Sequence, residues 1–345
     1  MAFTAQELAN ISASLLDFHV RGPAYAQSIQ DRPFYDALMS GQKTFPGGKE
    51  FITEPVKGVY TTTLQGFDHD DEVGYANPAN IKRTSVKWYE LHAGISLTLT
   101  ELKKEGISVT DSLNSKSTTE HSDRDVVVLT NLLEDKIDDL MEGFARSFTE
   151  MIWRDGTQDA KAVPGIQSFI LNAPTVGTTF GIDRGANSWW RNRANISIDS
   201  TTASNQNLVN ALQKDFRQLR RFRGRPNKFL AGSDYMDFFE KELRNKGNYT
   251  LEGWAQKKRI DASVADIAFK GVDIEYEPVL DDLSLSKFGY IFDLRRLYLK
   301  SMDGEDRKTH APARPAERYV MYRSMTWTGA LCASQLNCHE VSSCL

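Results

Sequence analysis

Between residues 122 and 154 the apolar positions fall at Val126, Leu129, Leu133, Ile137, Leu140, Phe144, Phe148 and Ile152. Steps of three and four draw a single stripe down an α-helix. The other side carries Glu134, Asp135, Asp138, Asp139 and Glu142, so water or another chain is expected there. Ser122 followed by Asp125 reads as an N-cap with an acidic partner, and Asp155-Gly156 supplies a stop. At 1.5 Å per residue such a helix runs about 50 Å, longer than the usual helix of a globular domain. It reads as a spine, with Leu133, Ile137, Leu140, Phe144 and Phe148 as its packing face.

Upstream the pattern changes twice. Thr4 to Val20 predicts a short amphipathic helix, opened by a Thr4–Glu7 capping box, striped by Leu8, Ile11, Leu15 and Phe18, and ended by Gly22-Pro23. Arg32-Pro33-Phe34-Tyr35 then leads into a helical turn or two through Met39. Helices this short are marginal alone, so residues 1–45 are expected to form an arm that docks on something. Val56 to Phe67 and Thr84 to Leu99 alternate in places and are rich in Val, Thr, Tyr and Trp, as paired strands are. They predict an extended hairpin with the charged tip Asp68-His69-Asp70-Asp71-Glu72. A lone hairpin is marginally stable in water, so this one is expected to lie on another surface. Its tip lacks the spacing and the Gly of a calcium loop, which leaves a solvated tip or a charge contact with a neighbour.

Downstream of the spine, a loop dense in Gly, Thr and Asn ends in Trp189-Trp190-Arg191-Asn192. Paired Trp beside Arg191 and Arg193 can be a base-stacking platform or, more commonly, an anchor at a protein interface. From Ser204 the texture is that of an α/β unit. Leu208, Leu212, Phe216 and Leu219 mark a helix, Lys228 to Ala231 a strand, and Ser233 caps a second helix. Further strands are expected over Val272–Glu277 and Tyr290–Leu299, then two returning strands over Arg318–Met325 and Trp327–Val341. Arg217, Arg220, Arg221, Arg223, Arg225 and Lys228 form the one dense basic run. It can bind phosphates, but Asp215, Asp234, Asp237, Glu240 and Glu242 stand close enough in sequence to neutralise it. A solvated helix face or a subunit contact is the plainer reading.

Composition narrows the classes. Over 345 residues, 40% hydrophobic and 26% charged is ordinary for a folded soluble chain. No apolar run approaches the ~18 residues that span a bilayer, and Met1-Ala2-Phe3-Thr4 does not open a signal peptide; a product that stays in the cytoplasm where it is made, with no membrane partner, is expected. A net charge of −4 argues against a general nucleic-acid glue. Cys332, Cys338 and Cys344 lack zinc spacing and are expected to be inert buried thiols. No nucleophile elbow, P-loop, zincin or dinucleotide motif is present, so no catalytic, cofactor or metal residue is assigned.

The order of arm, hairpin, spine helix, Gly-rich loop, α/β unit and returning strands resembles the major capsid proteins of tailed bacteriophages, whose fold is named after phage Hong Kong 97. Several stretches carry the likeness: Arg32-Pro33-Phe34 with Phe45-Pro46-Gly47-Gly48-Lys49, Pro164-Gly165-Ile166-Gln167, Pro174-Thr175-Val176-Gly177-Thr178, Gly181-Ile182-Asp183-Arg184, and Trp189-Trp190-Arg191-Asn192. Pro278-Val279-Leu280-Asp281-Asp282, Pro312-Ala313-Arg314-Pro315, Thr326-Trp327-Thr328-Gly329-Ala330 and Asn337-Cys338-His339 complete it. The resemblance implies an α+β fold with an arm at 1–45, an extended loop at 46–100 and a peripheral domain at 101–204. It places an axial domain at 205–310 and C-terminal strands at 311–345. It also implies hexamers and pentamers in an icosahedral shell around double-stranded DNA, with a portal, a separate scaffolding protein and in some cases a decoration protein. Arg32, Phe34, Asp68, Asp70, Asp71, Glu72, Trp189, Trp190, Arg191, Arg220 and Arg221 are the expected assembly contacts. No long helix precedes the arm, so a fused scaffolding segment is not expected, and no Lys–Asn cross-link is assigned. A cellular nanocompartment shell of the encapsulin type is the nearest alternative, and a DNA-binding protein using 214–228 a more distant one.

Overall fold

The computed structural model describes residues 29–77, 80–98, 100, 104, 123–200, 207–245, 267–313 and 320–345. Contacts divide the chain into Met1–Asp31 and Arg32–Leu345. The expected Thr4–Val20 helix, the Ser122 cap and Arg314-Pro315 lie outside the described residues, as do the side chains of Val126, Leu129, Leu133, Glu134 and Asp135. In the second unit the order is α1 (Pro33–Ser40), β1 (Lys43–Phe45), β2 (Phe51–Lys57), β3 (Ile81–Lys87), β4 (Tyr89–Thr98), α2 (Asp123–Trp153), β5 (Thr178–Thr179), β6 (Ile182–Asp183) and β7 (Arg193–Ile198). Then come α3 (Leu208–Arg220), β8 (Lys228–Ala231), α4 (Ser233–Asn245), β9 (Ala268–Phe269), β10 (Val272–Tyr276) and α5 (Pro278–Asp282). The chain closes with β11 (Phe288–Phe292), β12 (Leu297–Met302), β13 (Lys308–Ala313), β14 (Val320–Ala333) and β15 (Glu340–Cys344).

A six-stranded sheet runs β7-β15-β11-β8-β10-β9. Side chains alternate across a strand, and here each face meets a different partner. Phe229, Ala231 and Ile291 turn toward Leu212, Phe216 and Phe239 of α3 and α4. Their neighbours Leu230, Tyr290 and Phe292 join the core around α2. Both faces are covered, which is why β8, β11 and β15 read as nearly unbroken buried runs.

The second sheet runs β1-β12-β14-β13, with β4 along the other edge of β14. Spine helix α2 lies on it. The Phe148 ring packs tilted, 4.7 Å from that of Trp327 and 5.4 Å from that of Phe144, while Trp153, at the end of the helix, sits 5.1 Å from Tyr290 of the first sheet. One helix therefore binds both sheets. It ends where expected: Gly156 takes φ +84, a left-handed turn that favours glycine. Gly165 then tucks beneath that end, where a Cβ would lie 2.1 Å from Ile152 O.

Several expected strands pair differently. The hairpin is shorter: Phe51–Lys57 pairs with Ile81–Lys87, and residues 58–77 hold no strand. The run expected as one strand from Thr84 is divided at Trp88, and Tyr89–Thr98 leaves the hairpin to pair with β14 along its whole length. Tyr290–Leu299 is likewise two strands in two sheets, parted by a turn in which Arg296 N–H donates to Asp293 O at 2.9 Å. Val320–Ala333 is one continuous strand because β4, β13 and β12 hold it on both edges. Strand β15 enters the six-stranded sheet between β7 and β11, so that sheet joins strands from either side of residues 204 and 310. From Arg32 the chain belongs to the second unit, with Phe34 0% exposed and β1 paired to β12.

Candidate assembly surfaces

Three attachments fix the root of the hairpin. Ser85 N–H donates to Phe180 O at 2.9 Å, tying β3 to the β5–β6 turn. Glu54 of β2 accepts from Tyr298 Oη at 2.6 Å and pairs with Lys300, both on β12. Burial pushes the Glu54 carboxyl up, but those two partners pull harder and leave it below the usual range. The Trp189 ring closes over Gly58, where a Cβ would come within 2.9 Å of it.

Beyond that root the chain changes character. Val59, Tyr60, Leu64, Phe67, Val73 and Tyr75 are all exposed, Leu64 at 103% and Tyr75 at 94%. The tip is organised only locally: Asp68 N–H donates to Asp71 Oδ2 at 2.9 Å, and Asp71 N–H to Asp68 O at 3.0 Å. Asp68, Asp70, Asp71 and Glu72 are exposed. A rigidly rooted segment that exposes this much apolar surface beside a carboxylate cluster has the composition of an interaction surface.

The paired tryptophans do something else. Trp190 is 1% exposed, and its Nε1 donates to Thr179 O at 3.1 Å. Arg191 donates from Nε to Arg184 O (2.7 Å) and from Nη2 to Gly185 O (2.8 Å). Trp190 and Arg191 are thus hydrogen-bonded within their own chain, and Trp189 is half-buried at the hairpin root. The residue they enclose was not singled out in the sequence as functional. Arg184 is fully buried and donates to Thr179 Oγ1 (2.7 Å), Asn192 Oδ1 (2.7 Å) and Phe169 O. All three partners are neutral, and burial lowers its pKa to about 10. The Gly-rich loop is thus knotted around one guanidinium.

Arg32 and Phe34 are also engaged within the subunit, Phe34 buried and Arg32 half-buried. Phe34 lies 4.7 Å from the Trp153 ring and 5.0 Å from Phe292. Arg32 Nη1 donates to Glu142 Oε2 at 3.0 Å and the groups form a two-bond pair. That pair raises the Arg32 pKa and lowers that of Glu142. The acidic side of α2 is therefore part-covered at Glu142, while Asp138 and Asp139 are exposed. On the packing face Leu140, Phe144 and Phe148 are buried and Ile137 half-buried. Glu277, unremarked in the sequence, is fully buried and accepts Phe34 N–H at 3.1 Å. Burial pushes its carboxyl up to about 7.

Arg220 and Arg221 stay on the surface, and three of the five acids expected to neutralise their run, Asp215, Glu242 and Asp234, bond to other groups. Asp215 is buried with Arg193 (2.8 Å) and Asn195 (2.8 Å). Glu242 accepts Leu208 N–H and Val209 N–H at the start of α3, and Asp234 accepts from Ser286 Oγ. Lys228 pairs with Glu275.

The three cysteines are free and buried. Burial pushes the Cys332 and Cys338 thiols up to about 12 and Cys344 up to about 11. Cys338 Sγ stands 3.6 Å from His339 Nε2, but His339 Nδ1 accepts Asp293 N–H, so the ring proton sits on Nε2 and faces the sulfur. That tautomer cannot take the thiol proton.

No family model and no curated protein sequence matches the chain. Solved structures do. A chain of the cyanophage A-1(L) capsid is 14% identical, with TM-score 0.62 over 93% of this chain and 95% of that one. The capsid of Myoviridae phage XM1 is 11% identical, with TM-score 0.55 over 100% and 99%. The capsid of the empty GTA particle is 10% identical, with TM-score 0.52 over 96% and 97%. Identities this low establish fold alone, and the fold is the Hong Kong 97 type that the resemblance implied.

Proposed function

We propose that this chain is the major capsid protein of a tailed bacteriophage, assembling as hexamers and pentamers into an icosahedral shell around double-stranded DNA. The observation that carries the reading is structural likeness to capsid subunits over nearly the full length of both chains. Residues 58–77 support it, because among the described residues no layer buries their exposed apolar side chains, and in such a shell a neighbouring subunit would supply one. The role is structural and needs no catalysis, cofactor or metal. A portal, a separate scaffolding protein and a decoration protein are the further partners this reading entails. The particle assembles in the host cytoplasm and ends as the virion shell.

Expression of the chain with and without a phage scaffolding protein, followed by electron microscopy and mass measurement, tests the reading. Closed particles of icosahedral symmetry are expected. A stable small oligomer at all concentrations overturns it, and closed particles that enclose protein cargo in place of DNA point to a cellular nanocompartment. Truncations meant to remove the arm have to stop at Asp31, because Phe34, Tyr35 and Leu38 are core residues.

A further inference from the structure

Three stretches far apart in sequence converge on one surface: the turn after α3, the corner between β11 and β12, and the loop between β14 and β15. Gln335 Nε2 donates to Phe222 O (3.0 Å) and Arg225 N–H to Asp293 Oδ2 (2.8 Å). Arg295 Nη2 donates to Arg225 O (3.2 Å), and Ser334 N–H to Arg296 O (2.9 Å). The surface they build presents Arg220, Arg221, Arg223, Arg225, Arg295 and Arg296, all exposed. The acid within these stretches, Asp293, is wholly buried and held by Arg295 at 2.6 Å. Among the described residues, the other five arginines make no ion pair.

The charge is not there for packing. The bonds above hold the turns, and of the six guanidinium groups only that of Arg295 joins in. Arg220 and Arg221 rest over the rings of Phe216 and Phe222, 4.8 and 5.5 Å from their centroids, leaving the donors outward. A chain of net charge −4 therefore gathers uncompensated cations in one place.

We propose that this surface binds the phosphate backbone of double-stranded DNA, a partner that rests on the shell reading for its source. The shape decides against an acidic peptide. Leu219, Pro226, Leu336 and Cys338 beneath the patch are buried, and Phe222 is the one large apolar side chain standing out, at 52%. A peptide motif is held by pockets for its side chains, whereas a repeating polyanion needs only spread cations, and phosphate contacts carry no sequence information. Guanidinium forks suit phosphate oxygens. DNA held this way is held without sequence preference, as a container requires.

The test uses the full, unassembled chain and a fluorescein-labelled duplex of mixed sequence of about 20 bp, titrated by anisotropy between about 50 and 200 mM salt. Arg220→Gln, Arg221→Gln and Arg296→Gln together are expected to weaken binding at least tenfold. The log–log salt slope should become shallower by about 0.9 for each phosphate no longer engaged. The matching Lys variants should keep most of the slope. A triple Gln variant at exposed Lys161, Lys241 and Lys270 should change neither reading. An equal loss in that control, or no loss in the patch variant, overturns the proposal. So does polyglutamate displacing the duplex at equal charge concentration, which makes the partner an acidic protein. Particle counts on the same proteins separate the two readings. Shells without DNA binding sink only this inference; DNA binding without shells sinks only the shell.

Discussion

Strands β8, β11 and β15 and the segment Phe51–Asn77 draw on similar apolar and β-branched residues. The first three hide nearly every side chain, while the second exposes Phe51, Val59, Tyr60, Leu64, Phe67, Val73 and Tyr75. The central strands have α3 and α4 on one face and the spine helix on the other. Among the described residues, the hairpin meets the rest of its chain at the root, through Phe180, Tyr298, Lys300 and Trp189. Residue chemistry is therefore not what separates the regions; the number of layers the chain supplies is. Where two layers exist, stability is intramolecular. Where the described residues supply none and the root is fixed, the proposed shell would make the missing layer another copy.

The sharpest way to break this comparison is to truncate one residue on each side of it. Phe148 lies among Tyr35, Phe144 and Trp327, and Phe148→Ala should cost about 3–5 kcal/mol through the cavity it leaves. Whole-domain stability is only about 5–15 kcal/mol, so mostly insoluble subunit is expected, measured by soluble yield and melting. A soluble Phe148→Ala protein with an unchanged melting temperature would show that the spine is not the centre of the fold.

Glu277 sharpens the core side. Its carboxyl is raised by burial from 4.5 to about 7, so between those values the folded chain binds more protons than the unfolded one. Stability must then fall as pH rises from about 4.5 to 7 and stay low above it. A glutamine side chain at this position would keep an acceptor for Phe34 N–H without the buried charge. Glu277→Gln should thus gain about 3 kcal/mol at pH 8, from 1.36 kcal/mol per pKa unit, and nothing below pH 4.5. Denaturant melts at the two pH values check the sign, and a gain that is largest in acid would reverse it.

The sequence revealed some of this and not the rest, for physical reasons. Helix α2 was legible because a period of 3.6 persists over its length, and α3 because Leu208, Leu212, Phe216 and Leu219 repeat the same spacing. Strand identity was legible but partnership was not: alternation assigns a face, not a neighbour. Nothing local says that Tyr89–Thr98 leaves Ile81–Lys87 for Val320–Gly329. Trp190 and Arg191 look the same whether they anchor a partner or cage Arg184, since both uses need an aromatic beside a guanidinium. The acids near the basic run are sequence neighbours of its arginines, yet Asp215 and Glu242 point inward. The exposed tip at Asp68–Glu72 was legible, because a turn-rich acidic stretch has nowhere else to go.

Glu142 gives an intermediate effect. Its bond to Arg32 spans 110 positions, and the Arg32 side chain is only 10% exposed while that of Glu142 is 35%. Solvent screens such a half-open pair, so Glu142→Ala should cost about 1 kcal/mol, against about 0.5 or less for exposed Asp138→Ala. Equal melting of the two would mean that the bond to Arg32 contributes nothing to the subunit.

The smallest stability effect belongs to the hairpin, and it tests the other half of the comparison. Leu64 and Tyr75 are almost fully exposed, so Leu64→Ser with Tyr75→Ser should move subunit melting by no more than about 0.5 kcal/mol. If a neighbouring copy covers these side chains, the same variant should lose most of its particles, because a shell repeats the weakened interface at every subunit. Asp70→Asn with Asp71→Asn should behave alike in melting but differ in salt: charge contacts are screened over ~10 Å at 0.1 M, so the wild-type advantage should shrink as salt rises. A chelator should leave both proteins unchanged, and assembly abolished by chelator and restored by calcium would make the tip a metal loop. Normal particle counts from the double serine variant would mean that water, not a subunit, covers residues 58–77. The contrast between a two-layered core and an open hairpin would then describe a tolerated exposure, not an assembly surface.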